Sequence, residues 1–466
     1  MSFPAYPAYK TSGVKWLGDI PIDWVLSKVK YDSYVKARVG WHGLKSDEFT
    51  DVGPYLVTGS DFKNRTVEWA SCYHCTSERF EQDKYIQLEE GDLLITKDGT
   101  IGKLILVEGL PGKATLNSGI FVIRPLQQKY STRFYFWIMQ SSVFHDFIGL
   151  NKTGSTIIHL YQETFENLPY ALPALTEQTH IARFLDHETT RIDALILEQQ
   201  RLIELLKEKR QALISHAVTK GLDSTVPLKD SGGEWLGAVP AHWVVMQLSR
   251  VLEKVEQGWS PNASNEPAGP NEWGVIKISA IKNGVFFDSE NKALLEDTQP
   301  EPAFEIKNGD VLITRANTPN LVGDACIVRN DSGSRLMLSD LVYRLRLLPS
   351  IDASFICYFL LSHVGRAQIK SDARGSSMSM AKISQGHIKA WLLALPTYSE
   401  QVEISKFISE KLCKLDELIR VGTESHTLLA ERRSALISAA VTGKIDVRGW
   451  QPPACSPTPE LAQEAV

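Results

Sequence analysis

The chain of 466 residues is written twice. Trp16-Leu-Gly-Asp-Ile-Pro-Ile-Asp-Trp24 returns as Trp235-Leu-Gly-Ala-Val-Pro-Ala-His-Trp243, and Gly91-Asp-Leu-Leu-Ile-Thr-Lys97 returns as Gly309-Asp-Val-Leu-Ile-Thr-Arg315. Gly154-Ser155 pairs with Gly375-Ser376, and Leu172-Pro173…Glu177-Gln178 with Leu395-Pro396…Glu400-Gln401. Ala212-Leu-Ile-Ser-His-Ala-Val-Thr219 returns as Ala435-Leu-Ile-Ser-Ala-Ala-Val-Thr442. Landmarks in one order at one spacing of about 220 residues exclude chance, and the period is too long for a solenoid. A length that allows roughly three domains of about 150 residues therefore holds two copies of one unit.

Each copy has two parts. The first (about 10–170 and 229–393) is rich in β-branched and aromatic residues and punctuated by Gly, Pro, Asn and Asp. Asp92–Thr96, Leu104–Val107, Ile120–Ile123 and Gly274–Ile278 read as strands, with helical periods over Thr132–Ile148 and Ala353–Lys370. The second part is one long helix. From Glu177 to Lys220 there is no Pro or Gly; Thr176 is the expected N-cap and Gly221 the expected stop. Such a helix is on the order of 65 Å long.

Leu185, Ile192, Gln199, Leu206 and Leu213 recur every seven residues, as do Ile408, Leu415, Gly422, Leu429 and Leu436. Leu195, Leu202 and Leu418 suggest a second seam. Such helices need a coiled-coil partner, and each is the nearest partner of the other. The expected fold class is α+β (mixed): a tandem duplication of a globular α/β domain followed by a long helix, the two helices forming a coiled coil whose direction the spacing leaves open. The expected boundaries are 1–172, helix 173–222, 223–395, helix 396–446, and a disordered tail 447–466.

No catalytic motif stands out. There is no GxxxxGK[ST], no G-x-G-x-x-G after a strand, no H-E-x-x-H and no G-x-S-x-G. Cys72-Tyr-His-Cys75 lacks a second ligand pair for zinc. Asn167-Leu-Pro-Tyr170 resembles the Asn-Pro-Pro-Tyr motif of N6-adenine methyltransferases, but it lacks the first Pro and is Ala390-Trp-Leu-Leu393 in the second copy; it reads as structural. The six cysteines are dispersed, which suits a reducing cytoplasm. No signal peptide is expected at the N-terminus, and no apolar run approaches the roughly 20 residues that span a bilayer.

What remains is a binding pattern. Strand Gly91–Thr96 runs into Lys97-Asp-Gly-Thr-Ile-Gly-Lys103, and Arg315-Ala-Asn-Thr318 follows the equivalent strand. Asn151-Lys-Thr-Gly-Ser-Thr156 and Ala373-Arg-Gly-Ser-Ser-Met378 form a second loop pair. Cations beside glycine and hydroxyls suit phosphate contact, and Arg and Asn suit base edges. Val39-Gly-Trp-His42 and Gln257-Gly-Trp-Ser260 also correspond. The candidate DNA-binding residues are Trp41, His42, Lys97, Thr100, Lys103, Lys152, Thr153, Ser155, Trp259, Arg315, Asn317, Thr318, Arg374, Ser376, Ser377 and Lys382. The net charge of -5, from 50 Lys+Arg against 55 Asp+Glu, excludes bulk polycation binding but not a basic face.

On these duplicated motifs, nearly the whole chain resembles the specificity (S) subunit of type I restriction-modification systems. The resemblance implies a non-catalytic subunit with two target-recognition domains, each reading one half of a bipartite double-stranded DNA target. It implies antiparallel long helices that hold the domains apart and dock two methyltransferase (M) subunits, with restriction (R) subunits as further partners. S-adenosylmethionine, ATP and Mg are then expected on those partners, and no cofactor or metal on this chain. The expected location is the prokaryotic cytoplasm, on DNA. Two competing readings are a self-sufficient methyltransferase-endonuclease, which lacks its motifs, and a coiled-coil scaffold that binds proteins.

Overall fold

The protein is described here by a computed structural model covering residues 3–39, 43–63, 65–150, 159–373 and 380–452. It divides into two compact units, Met1–Gln199 with Glu424–Val466, and Gln200–Thr423. Each unit joins one globular domain to half of each long helix.

In the first unit, strands β1 (Ser33–Ala37), β2 (Leu93–Thr96), β3 (Leu104–Leu106) and β4 (Ile120–Pro125) form an antiparallel sheet in the order β3-β2-β4-β1. All four residues of β2 are buried, because successive side chains enter different cores. Leu93 and Ile95 join the helices α1 (Thr132–Met139) and α2 (Ser142–Leu150), while Leu94 enters the core beneath a three-stranded sheet. That second sheet pairs Ala114–Leu116 in parallel with Thr50–Val57. The long helix α3 spans Leu175–Lys220.

The second unit repeats this plan. Strands β5 (Leu252–Gln257), β6 (Val311–Thr314), β7 (Ala325–Ile327) and β8 (Val342–Leu347) are ordered β7-β6-β8-β5. Val311 and Ile313 face the helices α4 (Ala353–Leu361) and α5 (His363–Asp372), and Leu312 faces the other core. The second long helix, α6, spans Tyr398–Val441.

The recurring Gly-Asp serves the sheet. Gly91 and Gly309 have φ of 85° and 93°, in the left-handed region open to glycine. Asp92 accepts from the Glu89 N–H at 2.8 Å and from Arg124 Nε at 2.6 Å; Asp310 repeats this with Lys307 N–H at 2.9 Å and Arg346 Nη1 at 2.7 Å.

Each expected helical segment after the sheet is broken in two. The reason is a buried serine: Ser141 Oγ donates to the Ile138 carbonyl at 2.7 Å and accepts from Val143 N–H at 3.2 Å. Ser362 does the same with Phe359 at 2.6 Å and Gly365 at 3.1 Å. A hydroxyl that satisfies backbone groups locally competes with the helix.

The Glu-Gln pairs organise the helix starts. Trp24 Nε1 donates to Glu177 Oε1 at 3.2 Å, and Trp243 Nε1 to Glu400 Oε1 at 2.9 Å. Buried Gln178 bridges the Pro173 carbonyl (2.8 Å) and the Ser131 N–H (2.8 Å); buried Gln401 bridges Pro396 (3.0 Å) and the Asp352 N–H (2.9 Å). Because α3 begins at Leu175, Thr176 lies inside the first turn and is not the N-cap. Gly221 does end the helix, with φ of 75°, against Trp243. Gly443 follows α6 at φ of 72°, where any Cβ would overlap Pro21.

Within each unit the helix halves run antiparallel. In the first, His180 Nε2 bonds the Trp450 carbonyl at 2.8 Å while Asp193 Oδ1 accepts from Arg433 Nε at 2.6 Å, so rising numbers on α3 meet falling numbers towards α6. In the second, Gly221 lies against Glu400 and Arg210 Nε reaches Asp416 Oδ1 at 2.9 Å. Leu185, Ile192, Ile408 and Leu415 are buried, and Leu206, Leu213, Leu429 and Leu436 are partly so. The period-seven residues thus serve the fold. Leu195, Leu202 and Leu418 are 47%, 47% and 53% exposed and form no second seam. Gln199 and Gly422 both make further contacts.

The tail begins packed, contrary to its proline-rich composition. Val447 is buried and Trp450 lies edge-on to Phe184 at 5.3 Å, because apolar side chains there find the start of α3. Residues 453–466 lie outside the described residues. Among the described residues, no helix is long and apolar enough to cross a membrane.

Gln178→Ala and Gln401→Ala each leave a part-buried backbone N–H and a buried proline carbonyl unpaired. Each is expected to cost about 1–3 kcal/mol, read as a lower midpoint in chemical unfolding of the intact chain; unchanged midpoints would contradict the bridge.

Candidate nucleic-acid interface

The two cation-bearing loops hang on one backbone frame. Thr96 and Thr314, at the ends of β2 and β6, are buried. Thr96 Oγ1 donates to the Thr100 carbonyl at 2.5 Å and accepts from Lys103 N–H at 3.0 Å; Thr314 Oγ1 donates to Leu321 at 3.1 Å and accepts from Asp324 N–H at 3.0 Å. Gly102 and Gly323, with φ of 86° and 70°, each return an N–H to the threonine carbonyl at 3.0 Å. Lys97 N–H reaches the Gly119 carbonyl and Arg315 N–H the Leu341 carbonyl, both at 2.8 Å. Leu160 N–H and Ile383 N–H close the other side at 2.9 Å each. The correspondence of Lys97 with Arg315 is therefore one of position and bonding.

Their side chains differ. Lys97 Nζ lies 3.0 Å from Asp98 Oδ2, and His159 Nδ1 lies 2.7 Å from Asp98 Oδ1. Burial raises the Asp98 carboxyl, but His159 and Lys97 outweigh it and hold it below the ordinary carboxylate range. The three line a cavity of about 250 Å³ with Val39, buried Phe121 and the 70%-exposed Tyr161. Thr100 and Lys103 are exposed, and the Lys103 ammonium has no partner among the described residues. The second copy has no equivalent cation: its position is taken by Asp324, buried and accepting from Asn283 N–H at 2.6 Å.

In the second unit, Arg315 Nη1 donates to the Asp340 carbonyl at 3.2 Å over the face of Tyr343. The two-residue strands Ala316–Asn317 and Ala381–Lys382 pair, with Ala316 opposite Lys382. Arg315, Asn317, exposed Thr318 and exposed Lys382 thus share one edge. A cavity of about 300 Å³ nearby is lined by Ser260, Lys277, Lys292 and Ser339. Trp259 is 43% exposed and its N–H bonds the Leu338 carbonyl at 3.0 Å. Strand pairing sets Ala37 opposite Phe121 and Gln257 opposite Tyr343, so the two positions correspond.

Trp41, His42, Lys152, Thr153, Ser155, Arg374, Ser376 and Ser377 lie outside the described residues. Asp98, His159, Asp340 and Tyr343 were not anticipated. Only Asp98, next to Lys97, carried a sequence signal; the others are brought in by tertiary pairing. Tyr170 is buried and donates to Asp32 at 2.8 Å, a core role. Cys72 and Cys75 are buried, and burial pushes the Cys72 thiol up to about 12.

Since the folded Asp98 carboxyl sits below its unfolded value, its stabilising contribution is present above the ordinary carboxylate range. That contribution is lost as pH falls through the folded value. The stability gap between the native chain and Asp98→Asn should therefore be constant near neutrality and shrink on acidification in urea titrations; a gap that widens would contradict the network.

A family model of the type I restriction modification DNA specificity domain matches residues 42–207 and 240–420. The type I restriction enzyme EcoEI specificity subunit of Escherichia coli is 29% identical over 246 residues, covering 52% of this chain and 40% of that one. The MjaVIII specificity subunit of Methanocaldococcus jannaschii is 25% identical, over 78% of this chain and 82% of that one. A solved chain from work on complex assembly and conformational transition of the type I R-M system aligns with a TM-score of 0.69 at 15% identity, over 91% and 99% of the two chains. The HsdS subunit from Thermoanaerobacter tengcongensis aligns at 0.51 and 16%, over 93% and 100%. At these identities the solved structures speak to the fold alone.

Proposed function

The chain belongs to the type I restriction-modification DNA specificity family, and from that premise we propose that it is the DNA-specificity subunit of such a system, without a catalytic site of its own. The domains within 1–172 and 223–395 each read one half of a bipartite duplex target. Methyltransferase and restriction subunits supply S-adenosylmethionine, ATP and Mg chemistry.

One observation carries this reading: two loops share a backbone frame bond for bond yet present different side chains, Lys97 with Asp98 and Arg315 with Asn317. A repeated frame with altered reading groups suits two half-sites of different sequence, as base-edge contacts specify while phosphate contacts position. The exposed leucines of the long helices, among them Leu197 and Leu205 on α3 and Leu418 and Leu428 on α6, support docking of two methyltransferase subunits there. The alternative of a protein-binding scaffold predicts sequence-blind DNA affinity.

Methylation-aware sequencing of cells expressing this chain with its methyltransferase partner should reveal one bipartite N6-methyladenine motif; no such motif would overturn the proposal. Lys103→Ala should weaken DNA binding by that complex evenly across sequences and reduce the salt slope by about one. An unchanged slope in binding titrations would remove Lys103 from the interface.

A further inference from the structure

The second unit holds a guanidinium prepared in an unusual way. Arg315 is half-buried, with Nη1 fixed by the Asp340 carbonyl at 3.2 Å and its carbon 5.9 Å from the centre of the Tyr343 ring. Both supports are themselves fixed. Tyr343 is buried in β8, between Ile313 of β6 and Gln257 of β5. The Asp340 carbonyl also accepts from Gln257 Nε2 at 3.2 Å, and its carboxylate bonds Ser260 Oγ. Nε and Nη2 of Arg315 have no partner among the described residues.

The groups around it are donors too. Asn317 Oδ1 accepts from Thr318 N–H at 2.8 Å, and the Asn317 amide NH2 has no partner among the described residues. Lys382 is exposed on the paired strand, opposite Ala316. The side-chain carboxylate of Asp340, whose carbonyl holds Arg315, accepts from Ser260 Oγ.

Among base pairs in the major groove, guanine presents two adjacent acceptors, N7 and O6, and an arginine fork matches them. Its planar guanidinium, already held at one nitrogen and one face, has little left to order on contact. The first unit differs at the same backbone position: Lys97 offers no fork and its ammonium is closed by Asp98.

The geometry points to Arg315 as the residue that reads a guanine in one half of the target. This rests on the DNA-specificity reading above and adds the base class and the residue. A phosphate contact by the same guanidinium is the competing outcome, because phosphate also accepts a fork.

The test uses the full chain with its methyltransferase partner and reads the methylated motif by sequencing. Arg315→Gln should relax one guanine position in one half-site, raising methylation of sequences substituted there by about tenfold or more, with the other half-site unchanged. Arg315→Lys, which keeps charge but lacks the fork, should relax the same position. An unchanged motif in both variants would overturn the assignment. So would a general loss of methylation with no change in preferred base in both variants, the mark of a phosphate contact. If the native chain itself gave no bipartite motif, the DNA-specificity reading would fall, and this assignment with it.

Discussion

The Glu-Gln pair at the start of each long helix is the contact on which the architecture depends. Its glutamate takes the indole N–H of the second tryptophan in the opening motif, Trp24 or Trp243. Its glutamine ties the proline just before the helix to the N-terminus of α1 or α4. One dipeptide thereby joins the beginning, the middle and the end of each copy. Buried amides of this kind are costly when unpaired, so they enforce one arrangement.

The other ends of the helices are exchanged. Ser438, at the end of α6, accepts from the Ser142 N–H at 3.0 Å in the first unit; Ser215, at the end of α3, accepts from the His363 N–H at 2.8 Å in the second. Those N–H groups follow Ser141 and Ser362, the serines that break the domain helices. Each globular domain is thus held by the start of its own copy's helix and the end of the other copy's. The antiparallel halves follow from this exchange, with Ile437, Ala440 and Val441 entering the first core and Ile214, Ala217 and Val218 the second.

Repetition made much of this legible. The strands after Gly91 and Gly309, the long helices and the stop at Gly221 could be read because period and propensity agree there, whereas the second helix, expected to reach 446, ends at Val441. The seam at Leu185, Ile192, Ile408 and Leu415 was legible for the same reason. Leu195, Leu202 and Leu418 were misread because a seven-residue spacing does not say which face is covered. The break at Ser141 was invisible because its partners are local backbone groups. At the candidate interface, the repeat singles out Lys97 and Arg315 but not their environments. Asp340 and His159 reach the loops only through tertiary contacts between segments far apart in sequence. The chain-average charge, slightly acidic, likewise says little about loops whose local fields differ.

The exchange of helix ends is most directly tested by amide hydrogen exchange on Ser438→Ala and Ser215→Ala variants of the intact chain. Ser438→Ala should speed exchange in the segment beginning at Ser142 and leave that beginning at His363 unaffected, and Ser215→Ala should do the reverse. Faster exchange at the opposite segment, or at neither, would contradict the account.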